Sequence, residues 1–321
     1  MQLRFIADLT IEEIVDAKYD VAFFASGYER RAIHLSKMLD KRQVSMPIVL
    51  GFDEFSQQID RKDNDRFLRE KWGCRPIETS NRDDAEIYRV LREYRSAQTP
   101  LRFLIDYSSM TRFWYAAILN WVRFGGCAED VRLDFVYSSG RYADPVPTVE
   151  IKDILCIPGC EGGTSSSGVS VAVFGLGFDS FASLCVLDKL EPDWVYGFLA
   201  DPALVPSYPE RCREANRDLL IRFDSAPLSL ALRSVSSAFG KLAELVSPYK
   251  GVADVTLIPM GPKPHVLASI LLAIRFPELA CLHVAGNRQT VWPVEATGEI
   301  IGTSVHFSRD KREIGKRRTV A

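Results

Sequence analysis

Two groups of residues in this chain combine small, hydroxyl and charged side chains in the way a phosphate site requires. The first is Ser26, Gly27, Tyr28, Glu29 and Arg30, with Asp106, Ser108, Ser109, Thr111 and Arg112 further along; the second is Gly175, Gly177, Phe178 and Asp179, with Gly261, Lys263 and His265. Small residues let a ligand approach the backbone, a helix amino terminus offers unpaired N–H groups to an anion, and Arg or Lys supplies the counter-charge. Arg112 and Lys263 are the strongest candidates. Each is expected to open a helix, where a cation opposes the helix dipole and local stability does not explain it. Gly27 and Gly177 serve either ligand clearance or turn geometry. Glu29 and Asp179 suit either a ligand contact or a helix cap.

Catalytic patterns are sparse. Asp106 ends a strand, and His265 stands two residues after Lys263, so either is a candidate acid or base. The chain carries no P-loop, no GxSxG elbow and no HExxH, and Gly175-x-Gly177 lacks the third glycine of a dinucleotide fingerprint. No catalytic residue is assigned, and whether the protein is an enzyme stays open. Cys156 and Cys160 flank a Pro-Gly turn without a second Cys/His pair to complete a zinc site. No metal or cofactor is expected.

The elements that position these residues repeat. Val169–Lys189 reads as a buried strand, a glycine turn and a helix, the opening of a Rossmann-like unit. Residues 21–39 follow the same plan, with Gly27-Tyr28-Glu29 standing where Gly177-Phe178-Asp179 stand. Residues 101–122 match 255–276 so that Arg112 faces Lys263, and 131–141 match 278–288 so that Arg141 faces Arg288. Three pairs in one order predict an internal duplication. The expected fold is α/β, with two tandem Rossmann-like halves, mainly parallel sheets and a pseudo-two-fold relation. The boundaries predicted are 1–145 for the first half, 146–168 for a Pro/Gly/Ser-rich linker with a short edge strand at 149–154, and 169–321 for the second half.

In chain order the pattern predicts a strand at 2–6, a capping box from Thr10 to Glu13 ahead of a helix at 11–17, and strands at 21–25 and 47–51. It then predicts a solvated covering helix within 55–72, a helix capped by Asp83, the strand Leu101–Asp106, a helix at 113–123 and a strand at 131–137. The second half is read as strands 170–174, 194–199, 254–258 and 279–284. Its helices are placed at 178–190, 209–217, 228–246 and 265–275. The tail beyond Ile300 carries Arg309, Lys311, Arg312, Lys316, Arg317 and Arg318, a solvated basic end.

At 321 residues the chain is long enough for two domains with separate cores. Forty Lys and Arg against forty-two Asp and Glu give a net charge of -2, which excludes general attraction to nucleic acid or anionic membrane. No nucleic-acid contact is expected outside the basic tail. Seven irregularly spaced cysteines read as thiols rather than a disulfide framework. Without a recognisable signal peptide or a run of about 18 apolar residues, a cytoplasmic protein with no membrane contact is expected.

The strand–turn–helix units, with Gly261-Pro262-Lys263 and Ser109-Met110-Thr111-Arg112 as their later turns, resemble the CRISPR-associated Rossmann fold (CARF) group of nucleotide sensors. A Gly-aromatic-acid turn joined to such a Ser/Thr-Arg turn is also similar to proteins of bacterial anti-phage defence loci. The resemblance implies two half-clefts that bind a signalling nucleotide or another phosphorylated small molecule, and a protein partner that carries the effector activity. The alternatives from other classes are a nucleotide-processing hydrolase or glycosyl transferase using Asp106 or Glu29, and a non-catalytic assembly subunit of a defence complex.

Overall fold

The computed structural model describes residues 1–54, 56–93, 100–125, 130–141, 150–287 and 294–309. The fold is α/β, with two mainly parallel sheets in two compact units, each Rossmann-like. The first unit comprises Met1–Arg141 and Pro293–Ala321, the second Tyr142–Trp292.

In the first unit the chain runs β1 (Gln2–Leu9), α1 (Ile11–Val15), β2 (Tyr19–Ser26), a 3-10 turn (Arg30–Ile33), α2 (His34–Met38), β3 (Val44–Phe52), α3 (Ile59–Trp72), β4 (Ile77–Thr79), α4 (Ala85–Glu93), β5 (Leu101–Asp106), α5 (Arg112–Arg123) and β6 (Asp130–Arg141). The Thr10–Glu13 capping box forms as expected, and Asp83 accepts from the Ala85 N–H at 2.8 Å. β2 is buried along nearly its whole length because its Val, Ala and Phe residues face covering helices on both sides. Among the described residues the sheet order is β1-β13-β6-β5-β2-β3-β4, where β13 is Glu295–Ser308. β2 pairs in parallel with β3 on one side and β5 on the other. Strand order therefore reverses between β2 and β5, the switch point at which open α/β sheets bind ligands.

The second unit runs β7 (Glu150–Glu161), β8 (Ser170–Gly175), α6 (Ser180–Leu190), β9 (Trp194–Ala200), α7 (Tyr208–Ala215), α8 (Arg217–Leu220), β10 (Leu228–Leu230), α9 (Val235–Val246), β11 (Asp254–Pro259), α10 (Lys263–Arg275) and β12 (Ala280–Asn287). Its order is β10-β9-β8-β11-β12-β7, with the switch point between β8 and β11. Laid beside the first sheet, β8, β9, β10, β11, β12 and β7 occupy the places of β2, β3, β4, β5, β6 and β13. The duplication read from three matched segments is thus a duplication of topology.

Several expectations need correction. The region 146–168 is more than a linker: the edge strand expected at 149–154 is present as the longer, twelve-residue strand β7, paired antiparallel with β12 at the edge of the second sheet. The second half does not extend to the chain end, because β13 pairs with β6 and β1 in the first unit. Pro158 and Gly159 weigh toward a loop by composition, yet an edge strand tolerates both. The helix expected over 228–246 is a strand, Leu228–Leu230, and then α9 capped by Ser234. α3 is more than a solvated cover, since Arg61, Asn64, Leu68 and Trp72 are buried in it. Of the basic tail, Lys311, Arg312, Lys316, Arg317 and Arg318 lie outside the described residues. No helix among the described residues is long and apolar enough to cross a membrane.

Candidate functional site

In the first unit β2 carries Ser26 to the switch point, where it is fully buried and donates to Asp65 Oδ1 at 2.5 Å. Arg61, only 1% exposed, holds the same carboxylate oxygen at 2.8 Å and reaches Glu78 at 2.8 Å. The turn after Ser26 is fixed from α3: the Asn64 amide donates to the carbonyls of Gly27 at 2.9 Å and Glu29 at 3.0 Å. A Cβ on Gly27 would lie 3.1 Å from Ser109 Cβ, so the glycine lets the two switch-point turns touch.

Glu29 has no capping hydrogen bond to the 3-10 turn that follows it. Its carboxylate instead accepts from Arg31 Nε at 2.8 Å and from Ser109 Oγ at 3.2 Å, which joins the β2 turn to the β5 turn. Arg31 is 2% exposed and also donates to Tyr137 Oη at 2.9 Å and to the Ser138 carbonyl at 3.3 Å. The sequence did not single out Arg31. The signal was Gly140, where a Cβ would stand 3.0 Å from Arg31 Nη1, but it sits on a strand 109 residues away and needs the fold to be read.

Asp106 and Ser108 are buried and tied to each other. Asp106 Oδ1 accepts the Ser108 N–H at 3.1 Å and its hydroxyl at 2.5 Å, while Ser108 Oγ accepts from the Ser138 N–H at 2.7 Å. Thr111 caps α5 by accepting from the Phe113 N–H at 3.0 Å, and its hydroxyl donates to the Asn81 carbonyl at 2.8 Å. Arg112 is the first residue of α5 and half-buried. Tyr28 lies near Phe52, whose ring stacks on Trp114 at 4.4 Å and forms an aromatic wall beside the turn. Arg30 is engaged in exposed pairs with Asp60 at 3.0 Å and Glu295 at 2.7 Å.

In the second unit the glycines are explained by packing. A Cβ on Gly175 would strike the Phe198 ring at 2.6 Å, one on Gly177 the Met260 carbonyl at 2.5 Å, and one on Gly261 the Leu176 carbonyl at 2.6 Å. The Asn216 amide donates to the Gly177 carbonyl at 2.7 Å, the same device that Asn64 supplies for Gly27. Asp179 is a cap, accepting from the Ala182 N–H at 3.1 Å. Phe178 meets Tyr208 edge-on at 5.2 Å, and the Arg211 guanidinium lies 5.4 Å and 5.6 Å from the two rings.

His265 is not a solvent-facing acid or base. It is 1% exposed with its ring against Phe198 at 5.8 Å. Burial lowers its pKa to about 4, against a weaker upward pull from the Ala231 and Leu230 backbone. It is a neutral core residue at physiological pH. Lys263, two residues earlier, is half-buried and is the first residue of α10. The alignment of Arg112 with Lys263 holds in three dimensions, since each opens the helix that follows the strand beyond its unit's switch point.

No protein-family model matches this chain, and no curated protein matches it. Its chemistry has to be read from the geometry. Each unit brings its two predicted turns into contact at a switch point and starts a helix with a cation there. Among the described residues no group of three or more His, Cys, Asp or Glu side chains is placed to hold a metal ion.

Proposed function

We propose that this protein is a nucleotide-sensing module, which binds a phosphorylated ligand at the carboxyl ends of its parallel strands and acts through a protein partner. The observation that carries this reading is the placement of Arg112 and Lys263. Both are the first residues of helices, α5 and α10, that begin at the switch point of their sheet. There the helix N–H groups and the side-chain cation favour the same anion. In the first unit, the partly exposed Phe52, backed by the buried Trp114 ring, and the nearby Tyr28 add aromatic groups of the kind on which a base stacks. The resemblance to defence-system sensors supplies the biological setting of the proposal: regulation of an anti-phage effector.

Sensing is preferred to turnover because of how the carboxylates are used. Asp106 is buried against Ser108, and Glu29 is paired with buried Arg31. A general acid or base has to reach its substrate proton. The test is a thermal-shift screen of wild type and an Arg112→Ala/Lys263→Ala variant against mono-, di- and cyclic oligonucleotides. At a hundredfold excess over Kd a ligand stabilises by about 2.7 kcal/mol, a shift of several degrees. A shift confined to wild type supports the proposal; no shift with any of them rejects it.

A further inference from the structure

In the second unit α7 is clamped to the turn after β8. Asn216, which ends the helix, and Cys212 within it both donate to the Gly177 carbonyl, at 2.7 Å and 3.4 Å. The clamp carries two side chains to Phe178, the next residue of the turn. Tyr208 opens α7 and meets the Phe178 ring edge-on. Arg211, three residues further and so on the same helix face, sets its guanidinium 5.4 Å from the centre of the Phe178 ring and 5.6 Å from that of Tyr208. Phe178 is itself seated on the apolar core beneath it. All three side chains are half-buried and so keep part of their surface in water.

This trio adjoins the cation already placed at the switch point. A Cβ on Gly177 would lie 2.5 Å from the Met260 carbonyl oxygen and 3.6 Å from Gly261 Cα, so the turn that bears Phe178 touches the turn that leads into α10. Lys263 follows Gly261 by two residues and opens that helix.

The first unit is built differently at the corresponding place. Counted back from the asparagines that pin the two turns, Arg211 stands five residues before Asn216 and Ile59 five residues before Asn64. Ile59 is 78% exposed and carries no charge. Tyr28, in the place of Phe178, has Phe52 beside it at 6.2 Å.

Rings and planar guanidinium groups are the side chains on which nucleobases stack, and such stacking accepts any base because every base has a π face. A bare phosphate has no use for them. We infer that Phe178, Tyr208 and Arg211 form the base subsite of the second unit, where a nucleotide lies with its phosphate at Lys263 and its base against the trio. The inference rests on the reading of the protein as nucleotide-binding. It adds the part of the ligand that the second unit recognises, and two residues, Tyr208 and Arg211, that the sequence did not single out.

The test is calorimetric titration of the full-length chain with adenosine 5′-monophosphate and with ribose 5-phosphate, which is the same molecule without its base. An Arg112→Ala chain serves as the parent, so that the first unit's cation is absent. Arg211→Ala, Arg211→Lys and Lys263→Ala are then added to it singly. The parent is expected to bind the nucleotide roughly tenfold or more tightly than the sugar phosphate. Both Arg211 variants are expected to lose that preference while their affinity for ribose 5-phosphate is unchanged, because lysine keeps the charge but not the plane. Lys263→Ala is expected to weaken both probes alike. A nucleotide preference that survives in Arg211→Ala, that is fully restored in Arg211→Lys, or that the parent never shows overturns the base subsite and leaves the phosphate site standing. Binding of neither probe to the parent or to the unmodified chain removes the nucleotide-binding reading and this inference with it.

Discussion

Asn216 and Gly177 lie 39 residues apart in sequence, and the side-chain amide of the first donates to the backbone carbonyl of the second at 2.7 Å. Asn64 and Gly27, 37 residues apart, repeat the contact at 2.9 Å in the other unit. Each asparagine fixes the turn after the first strand of its switch point by satisfying a carbonyl that leaves the ladder there. Asn216 also serves the Cys212 carbonyl, and Asn64 the Glu29 carbonyl.

Replacing either asparagine by alanine is expected to destabilise its unit by about 1–3 kcal/mol, because carbonyls lose a donor without regaining water. At this unit size that is a fall in Tm of roughly 2–4 °C per kcal/mol, measurable by calorimetry. Asn→Asp is expected to fare no better, since a carboxylate cannot donate. Unchanged melting of Asn216→Ala would show that the turn does not need its pin.

The glycines divide by what surrounds them. Gly177→Ala forces a methyl to within 2.5 Å of the Met260 carbonyl, a backbone atom, and is expected to lower Tm by several degrees. Gly240, inside α9 with nothing near its Cβ position, is the contrast. Gly240→Ala is expected to stabilise by about 0.5–1 kcal/mol through helix propensity. Parallel thermal melts of the two variants check both signs.

Glu29 and Arg31 form a pair whose arginine is 2% exposed. Glu29→Gln leaves that guanidinium charge without its carboxylate, at an expected cost of about 3–5 kcal/mol. Arg31→Met is expected to cost a similar amount, and the double variant clearly less than the sum. Chemical denaturation of the four proteins measures the coupling, and strict additivity would show that the two charges do not interact.

His265 predicts a pH dependence with a definite sign. Its folded pKa, about 4, lies below the usual value of 6.5, so the unfolded chain binds the proton first as pH falls. The stability this contributes is fully present above pH 6.5 and is lost progressively as pH drops toward 4. The maximum loss is about 3 kcal/mol at 1.36 kcal/mol per pKa unit. In melts recorded from pH 7 to pH 4.5, His265→Gln is expected to show a flatter slope than wild type even though its Tm at pH 7 is lower. Equal slopes would contradict a buried neutral imidazole.

What the sequence made legible was local. The strand at 101–106, the capping box at Thr10 and the helix-opening places of Arg112 and Lys263 follow from apolar runs and turn residues read within single short segments. The duplication was legible because such segments recur in the same order in the second half of the chain. Arg31 and Asn64 were not, because a charged or amide residue in a helical stretch reads as surface until the strand or turn it serves is brought to it. An edge strand at 149–154 was legible within β7, but the pairing of β7 and of β13 was hidden more deeply. Their partners are set by strand pairing across more than a hundred residues, and no local pattern says which of two equivalent edges a strand will join. Asp179 and Glu29 looked alike in sequence and differ in fact: one caps a helix, while the other is held by an arginine two residues on.

The central claim is that a nucleotide phosphate binds where α5 and α10 begin. The most direct measurement is calorimetric titration of wild type, Arg112→Ala and Lys263→Ala with the oligonucleotide that gives the largest thermal shift. Loss of a charge-assisted phosphate contact, about 1.5–3 kcal/mol, predicts a Kd weaker by roughly ten- to a hundredfold in at least one variant, with folding unchanged by circular dichroism. Binding of equal strength in all three proteins would place the ligand elsewhere and contradict the account.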